Sequence, residues 1–198
     1  MFGIFYSLGV EHIINIEAYD HILFIAMLVG VYRLSGWKKI IALVTAFTAG
    51  HSLSLFLSVY DIISIKSSIV ELFIAITIFV TGFENLFYNE NEQAGFWSVK
   101  YRIKYLVAML FGLVHGLGFS STLKSVMLSS DHIAIPLLGF NLGVETGQLI
   151  VVFAVLIISR YIKQLFSIRQ RSWNLVLSGI GIGAALILIL ERMQNLGV

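Results

Sequence analysis

Long apolar runs separated by short polar connections dominate the chain. Six of the runs are long enough to cross a hydrocarbon core of about 30 Å, which takes roughly 20 helical residues. They fall at about 19–34, 38–60, 67–88, 102–127, 133–162 and 172–194. The first is short, so Met1 to Asn15 is expected to lie along the surface or to re-enter and lengthen it. The largest hydrophilic connection, YNENEQAGFWSVKYR near 88–102, is a loop by composition. No soluble domain, Pro/Ser-rich linker or low-complexity tract interrupts the pattern. It predicts an all-α fold: a polytopic membrane helix bundle of about six transmembrane helices with an N-terminal interfacial or re-entrant segment, forming one domain over 1–198.

Composition agrees with this reading. The chain is 58% hydrophobic and 12% charged, where a soluble domain carries about 25% charged residues. Cysteine is absent, which removes disulfides, thiolate metal sites and a cysteine nucleophile, so any metal must be held by His, Asp, Glu or neutral oxygen ligands. MFGIFYSLGV has no basic residue before its apolar run and no small-residue cleavage site, so no removable signal peptide is expected. Arg33, Lys38, Lys39, Lys100, Arg102, Lys104, Arg160, Lys163, Arg169 and Arg171 fall in connections on one side, ten of the thirteen basic residues. Lys66, Lys124 and Arg192 fall on the other. By the positive-inside rule both termini face outward, toward the periplasm if the membrane is a bacterial inner membrane. With the basic residues assigned to topology, the net charge of +2 makes no case for nucleic acid.

Polar residues inside the spans are expensive and mark candidate sites. Measured from the outer boundary, their depths agree. Asp20 and His21 open span 1, His51 lies in the outer half of span 2 near Thr48 and Ser52, and Glu71 lies in the first turns of span 3. His115 lies in the outer half of span 4, and span 5 presents Asn141, Glu145 and Gln148 on one helical face. His12 can fold back over the segment from Ile13 to Tyr19, which is expected to be non-helical, and join Asp20 and His21. The expected site has an outer rim of His12, Asp20 and His21 and a floor of His51, His115 and Glu145. Thr48, Ser52, Glu71, Asn141 and Gln148 support it. Lys66 and Lys124 are the cations assigned to that depth, so imidazole is the expected neighbour of Glu71 and Glu145. Glu11 and Glu17 read as interfacial, and Asp131 and His132 as a cap before span 5. Gly112/Gly116 and Gly179/Gly183 have small-xxx-small spacing and are expected to pack helices. Span 6 reads as scaffold. The inner halves of the spans look almost free of polar side chains, with Thr45 and Gln148 the deepest.

The strings HIINIEAYDHILF, VTAFTAGHSLSL, VELFIAITI, FGLVHGLGFSSTL and LLGFNLGVETGQLIVV, in this order, resemble the HupE/UreJ family of bacterial membrane proteins, particularly its second branch. The resemblance runs over nearly the whole chain to about residue 155. It implies a small inner-membrane protein of the nickel or cobalt permease type, linked to hydrogenase or urease maturation. By position, the family's first-motif His and Asp match His12, Asp20 and His21, and its later histidines match His51 and His115. The gap holding Glu17 is longer here than is usual in the family.

Three functions follow from these residues. The first is a transporter or uptake component for a divalent transition metal of the Ni, Co or Zn type, which imidazole and carboxylate ligands suit without choosing among them. The second is an intramembrane metal-dependent hydrolase with Glu145 or Glu71 as general base. The third is a non-catalytic membrane assembly factor. Expected partners are the metal ion and membrane lipid, with a homo-oligomer or a periplasmic partner left open.

Overall fold

A computed structural model describes residues 1–16, 19–88, 98–127 and 133–197. Glu17, Asp131 and His132 lie outside the described residues, and with them the expected interfacial carboxylate and the cap before span 5. The helices are α1 (Phe2–Ile14), α2 (Tyr19–Gly30), α3 (Trp37–Val59), α4 (Ser67–Leu86), α5 (Val99–Met127), α6 (Ala134–Leu165) and α7 (Gln170–Leu196). The lone proline, Pro136, sits in the first turn of α6, where a missing N–H is tolerated.

Five helices, α3 to α7, are long and apolar enough to cross a membrane, and α1 with α2 supplies a sixth crossing if the pair counts as one broken span. The two are bent by 70°. The 12 residues of α2 reach only about 18 Å at 1.5 Å per residue, which is why this span needs α1. The break is shorter than the sequence suggests, because helix continues through Ile14 and ends at the extended Asn15. His12 therefore belongs to the last turn of α1.

Phe5, Gly9 and Ile13 form the buried face of α1, and α6 meets it with a stripe of glycines. A methyl group on Gly143 would stand 2.1 Å from the Tyr6 carbonyl oxygen, and one on Gly9 would stand 2.1 Å from that of Phe140. Phe2 lies against Gly139, Tyr6 against Gly143 and Ile13 against Gly147, so the two helices run parallel. The Tyr6 hydroxyl also reaches Thr146 Oγ1 at 3.1 Å. Gly139 and Gly143, which flank Asn141, form the crossing with α1.

The same device joins α3 to α5, also parallel. Gly50 meets the Met109 backbone, Gly112 that of Phe47, and Gly116 the carbonyl of His51. The small-xxx-small expectation thus holds for Gly112 and Gly116. It does not hold for Gly179 and Gly183, which have nothing within 4 Å; in α7 it is Gly181 that packs, against the thioether of Met27.

Basic connections gather at one end of the bundle. Lys39 lies 4.1 Å over the Tyr101 ring, Lys104 pairs with Glu84 at 3.0 Å, and Arg171 donates to the carbonyls of Tyr88 and Leu86. At the opposite end Lys124 pairs with Asp61, and Arg192 with Glu71 at 3.1 Å.

Candidate metal centre

Four of the five histidines converge toward that opposite end. His12 ends α1 and His21 opens α2, so the break between these helices sets their rings 4.7 Å apart. His51 is fully buried on α3, its ring 6.0 Å from that of His12 and 6.3 Å from that of His21. His115, also fully buried, lies on α5 with its ring 5.2 Å from His21. The glycine crossings produce this closeness: Gly50 precedes His51, Gly116 follows His115, and each glycine touches the other helix's backbone. The histidines of the expected rim and floor form one cluster.

One nitrogen from each of His12, His21 and His51 lies within 4.8 Å of the others. Two imidazole nitrogens on opposite sides of one transition-metal ion stand about 4 Å apart, with bonds of 2.0–2.1 Å.

Hydrogen bonding decides how two of the rings present themselves. Asp20 Oδ1 accepts from the backbone N–H of His21 at 2.8 Å and lies 3.0 Å from His21 Nδ1. A carboxylate only accepts, so Nδ1 carries a proton, and in the neutral ring Nε2 offers its lone pair. Thr77 Oγ1 donates its single proton to the Ile74 carbonyl at 2.7 Å and lies 2.9 Å from His115 Nε2. With that proton directed at Ile74 the hydroxyl accepts from His115 Nε2, and in this arrangement of the neutral ring Nδ1 is the lone-pair nitrogen. His21 Nε2 and His115 Nδ1 are buried and have no hydrogen-bond partner, as are His12 Nε2 and both ring nitrogens of His51. Leaving a buried polar group unsatisfied costs about 1–3 kcal/mol, and a bound cation relieves it. Phe119 and Phe140 wall the cluster, their rings 4.0 and 5.7 Å from His12.

Asp20, expected as a ligand, orients His21, an arrangement that holds a metal-binding imidazole in place and raises its basicity. Glu145 Oε1 accepts from Thr45 at 2.9 Å and lies outside the three-histidine group. Glu71 is bonded by Ser67 and Arg192 rather than by imidazole. Gln148 Oε1 accepts from Thr48 at 2.7 Å, leaving its Nε2 buried without a partner, as is Asn141 Oδ1. Ser52 is half-buried. Thr77 is the site residue that sequence reasoning missed. Its signal was present, since Thr77, Thr81 and Asn85 recur every four residues along α4.

The family model for HupE / UreJ proteins matches residues 1–192. The chain belongs to the HupE/UreJ family. No curated protein and no solved structure matches it. In this HupE/UreJ protein the multi-pass helices and the buried histidine cluster describe a membrane protein with the capacity to bind a divalent metal. Asp20→Asn is expected to weaken metal affinity by about 10–100-fold, the usual cost of losing an outer-shell carboxylate, without changing stoichiometry. Calorimetric titration with Ni²⁺ checks this, and unchanged affinity would leave Asp20 no orienting role.

Proposed function

We propose that this HupE/UreJ protein is an integral membrane transporter or uptake component for a divalent transition-metal ion of the Ni, Co or Zn type. His12, His21, His51 and His115 take the ion as cargo. The supporting observation is the set of buried, unpartnered ring nitrogens on four helices, two of the rings being hydrogen-bonded through their other nitrogen to Asp20 and Thr77. Among the described residues Asp20 is the carboxylate bonded to a ring of this set, so a dication held there keeps part of its charge, which favours transit over permanent retention. The basic end faces the cytoplasm of a bacterial inner membrane, and both termini face the periplasm. A hydrolytic use of the metal needs a carboxylate base within reach of a metal-bound water. Glu71 is engaged by Arg192 and Glu145 by Thr45, and transport is the better supported reading.

Proteoliposomes loaded with a metal-sensitive dye test the proposal. Wild-type protein is expected to carry Ni²⁺, Co²⁺ or Zn²⁺ inward, and His51→Ala and His115→Ala to carry less than a tenth as much. Stoichiometric binding in the wild type with no flux for any of the three would overturn transport.

A further inference from the structure

A cavity of about 490 Å³ lies between α2, α3, α4 and α5. Its position follows from the residues around His115. Phe24 and Phe47 stand 5.0 and 5.1 Å from the His115 ring, and Thr77 is bonded to it. One helical turn further toward the basic end, about 5.4 Å, each of these helices lines the cavity, with Leu28 after Phe24, Leu43 before Phe47, Thr81 after Thr77 and Phe111 before His115. The four helices run in alternating directions, yet every step points the same way. The cavity therefore lies directly beneath the metal centre. The rings of Phe24, Phe47 and Phe111 separate the two, with Phe24 at 4.9 Å from Phe47 and 6.1 Å from Phe111.

The cavity is mostly apolar, with polar side chains along one wall. Thr81, Glu84, Asn85 and Lys104 line it, and Glu84 pairs with Lys104 at the basic end of the bundle. Thr81 Oγ1 donates to the Thr77 carbonyl at 2.8 Å, which spends its proton and leaves its oxygen as an acceptor. Thr77, Thr81 and Asn85 are buried on one face of α4, forming a ladder of oxygen-bearing side chains from His115 to Glu84. Inner halves almost free of polar side chains, as expected from the sequence, would offer no such exit; Thr81, Glu84 and Asn85 supply one.

We propose that this cavity is the inner vestibule of the metal ion's path, with Thr81 and Glu84 as its oxygen ligands and the Phe24, Phe47 and Phe111 layer as the barrier between it and the histidine centre. The inference rests on the transport reading. The ion leaves His115, passes Thr77 and Thr81 as the phenylalanine layer parts, and is handed to Glu84, whose carboxylate Lys104 releases. Oxygen ligands hold Ni²⁺, Co²⁺ and Zn²⁺ less tightly than imidazole does, so an ion that has reached the vestibule dissociates from it more readily than from the histidines.

Because the chain has no native cysteine, Thr81→Cys supplies a unique thiol. A charged, membrane-impermeant methanethiosulfonate reagent is expected to label it from the side of the basic connections and not from the other. Labelling confined to membrane-permeant maleimide would show a cavity filled by lipid chains and overturn the proposal. In Ni²⁺ flux assays, Glu84→Gln is expected to cut flux about fivefold and Ala108→Phe, which fills the cavity, more than tenfold, with the Ni²⁺ content of the purified protein at the wild-type level in both. Wild-type flux in Glu84→Gln together with thiol labelling from the wrong side would remove the vestibule and leave transport standing. A wild-type protein that binds Ni²⁺ without flux would remove transport itself, and the vestibule with it.

Discussion

Replacing His51 with leucine is expected to abolish metal binding and to make the metal-free protein more stable. His51 is fully buried and neither ring nitrogen has a hydrogen-bond partner. In the metal-free state an unsatisfied imidazole is a liability of about 1–3 kcal/mol, and an apolar side chain of similar volume removes it. Phe47 and Phe140, with rings 6.3 and 6.4 Å away, already offer an apolar surround. In the metal-bound state the order reverses. Loss of a direct ligand should cost more than the 10–100-fold that follows loss of an outer-shell partner. Ni²⁺ titration of the detergent-solubilised protein measures the first effect and chelator-treated thermal unfolding the second. A metal-free His51→Leu protein less stable than wild type would mean that His51 is a packing residue.

Gly50→Ala is expected to prevent assembly of the bundle. The added methyl carbon would lie 1.9 Å from the Met109 carbonyl oxygen, 2.8 Å from its carbon and 2.9 Å from the Leu113 nitrogen. All three are backbone atoms, so no rotamer change relieves the clash and α3 must move away from α5. The cost should reach or exceed the upper end of the about 1–3 kcal/mol typical of overpacking. It also pulls His51 from His115. Gly183→Ala is the matched control: nothing lies within 4 Å of that position, and alanine is the better helix former by about 1 kcal/mol. Size-exclusion profiles of fluorescent fusions should show the first variant aggregated and the second monodisperse. A monodisperse Gly50→Ala protein with full metal content would show that the close crossing is not required.

Four histidines and Asp20 were readable as residues of one layer before any helix was placed, because the rise of a helix and the thickness of a bilayer convert residue number into depth. The same conversion assigned Glu145 and Glu71 to that layer. It could not say which way they faced. Rotation about a helix axis and the choice of neighbouring helix are not contained in depth. For that reason the bond of Glu145 to Thr45, the pairing of Glu71 with Arg192 and the joining of Thr77 to His115 all went unread. Arg192 was assigned to the correct end, yet its pairing with Glu71 arises only from the antiparallel packing of α4 on α7.

The number of spans, their bounds to within a few residues, the basic end and the need for an N-terminal segment to complete the first span were written along the chain, since each depends on local hydropathy and charge. The parallel crossings of α1 on α6 and α3 on α5 were not, although their glycines stood in plain view. A glycine permits close approach without naming its partner, and Gly179 and Gly183 have the same spacing with no partner within 4 Å. Tertiary packing alone brought the end of α1 and the start of α2 to the α3/α5 crossing. That packing made one four-histidine centre, with a cavity beneath it, out of residues that share no more than a depth.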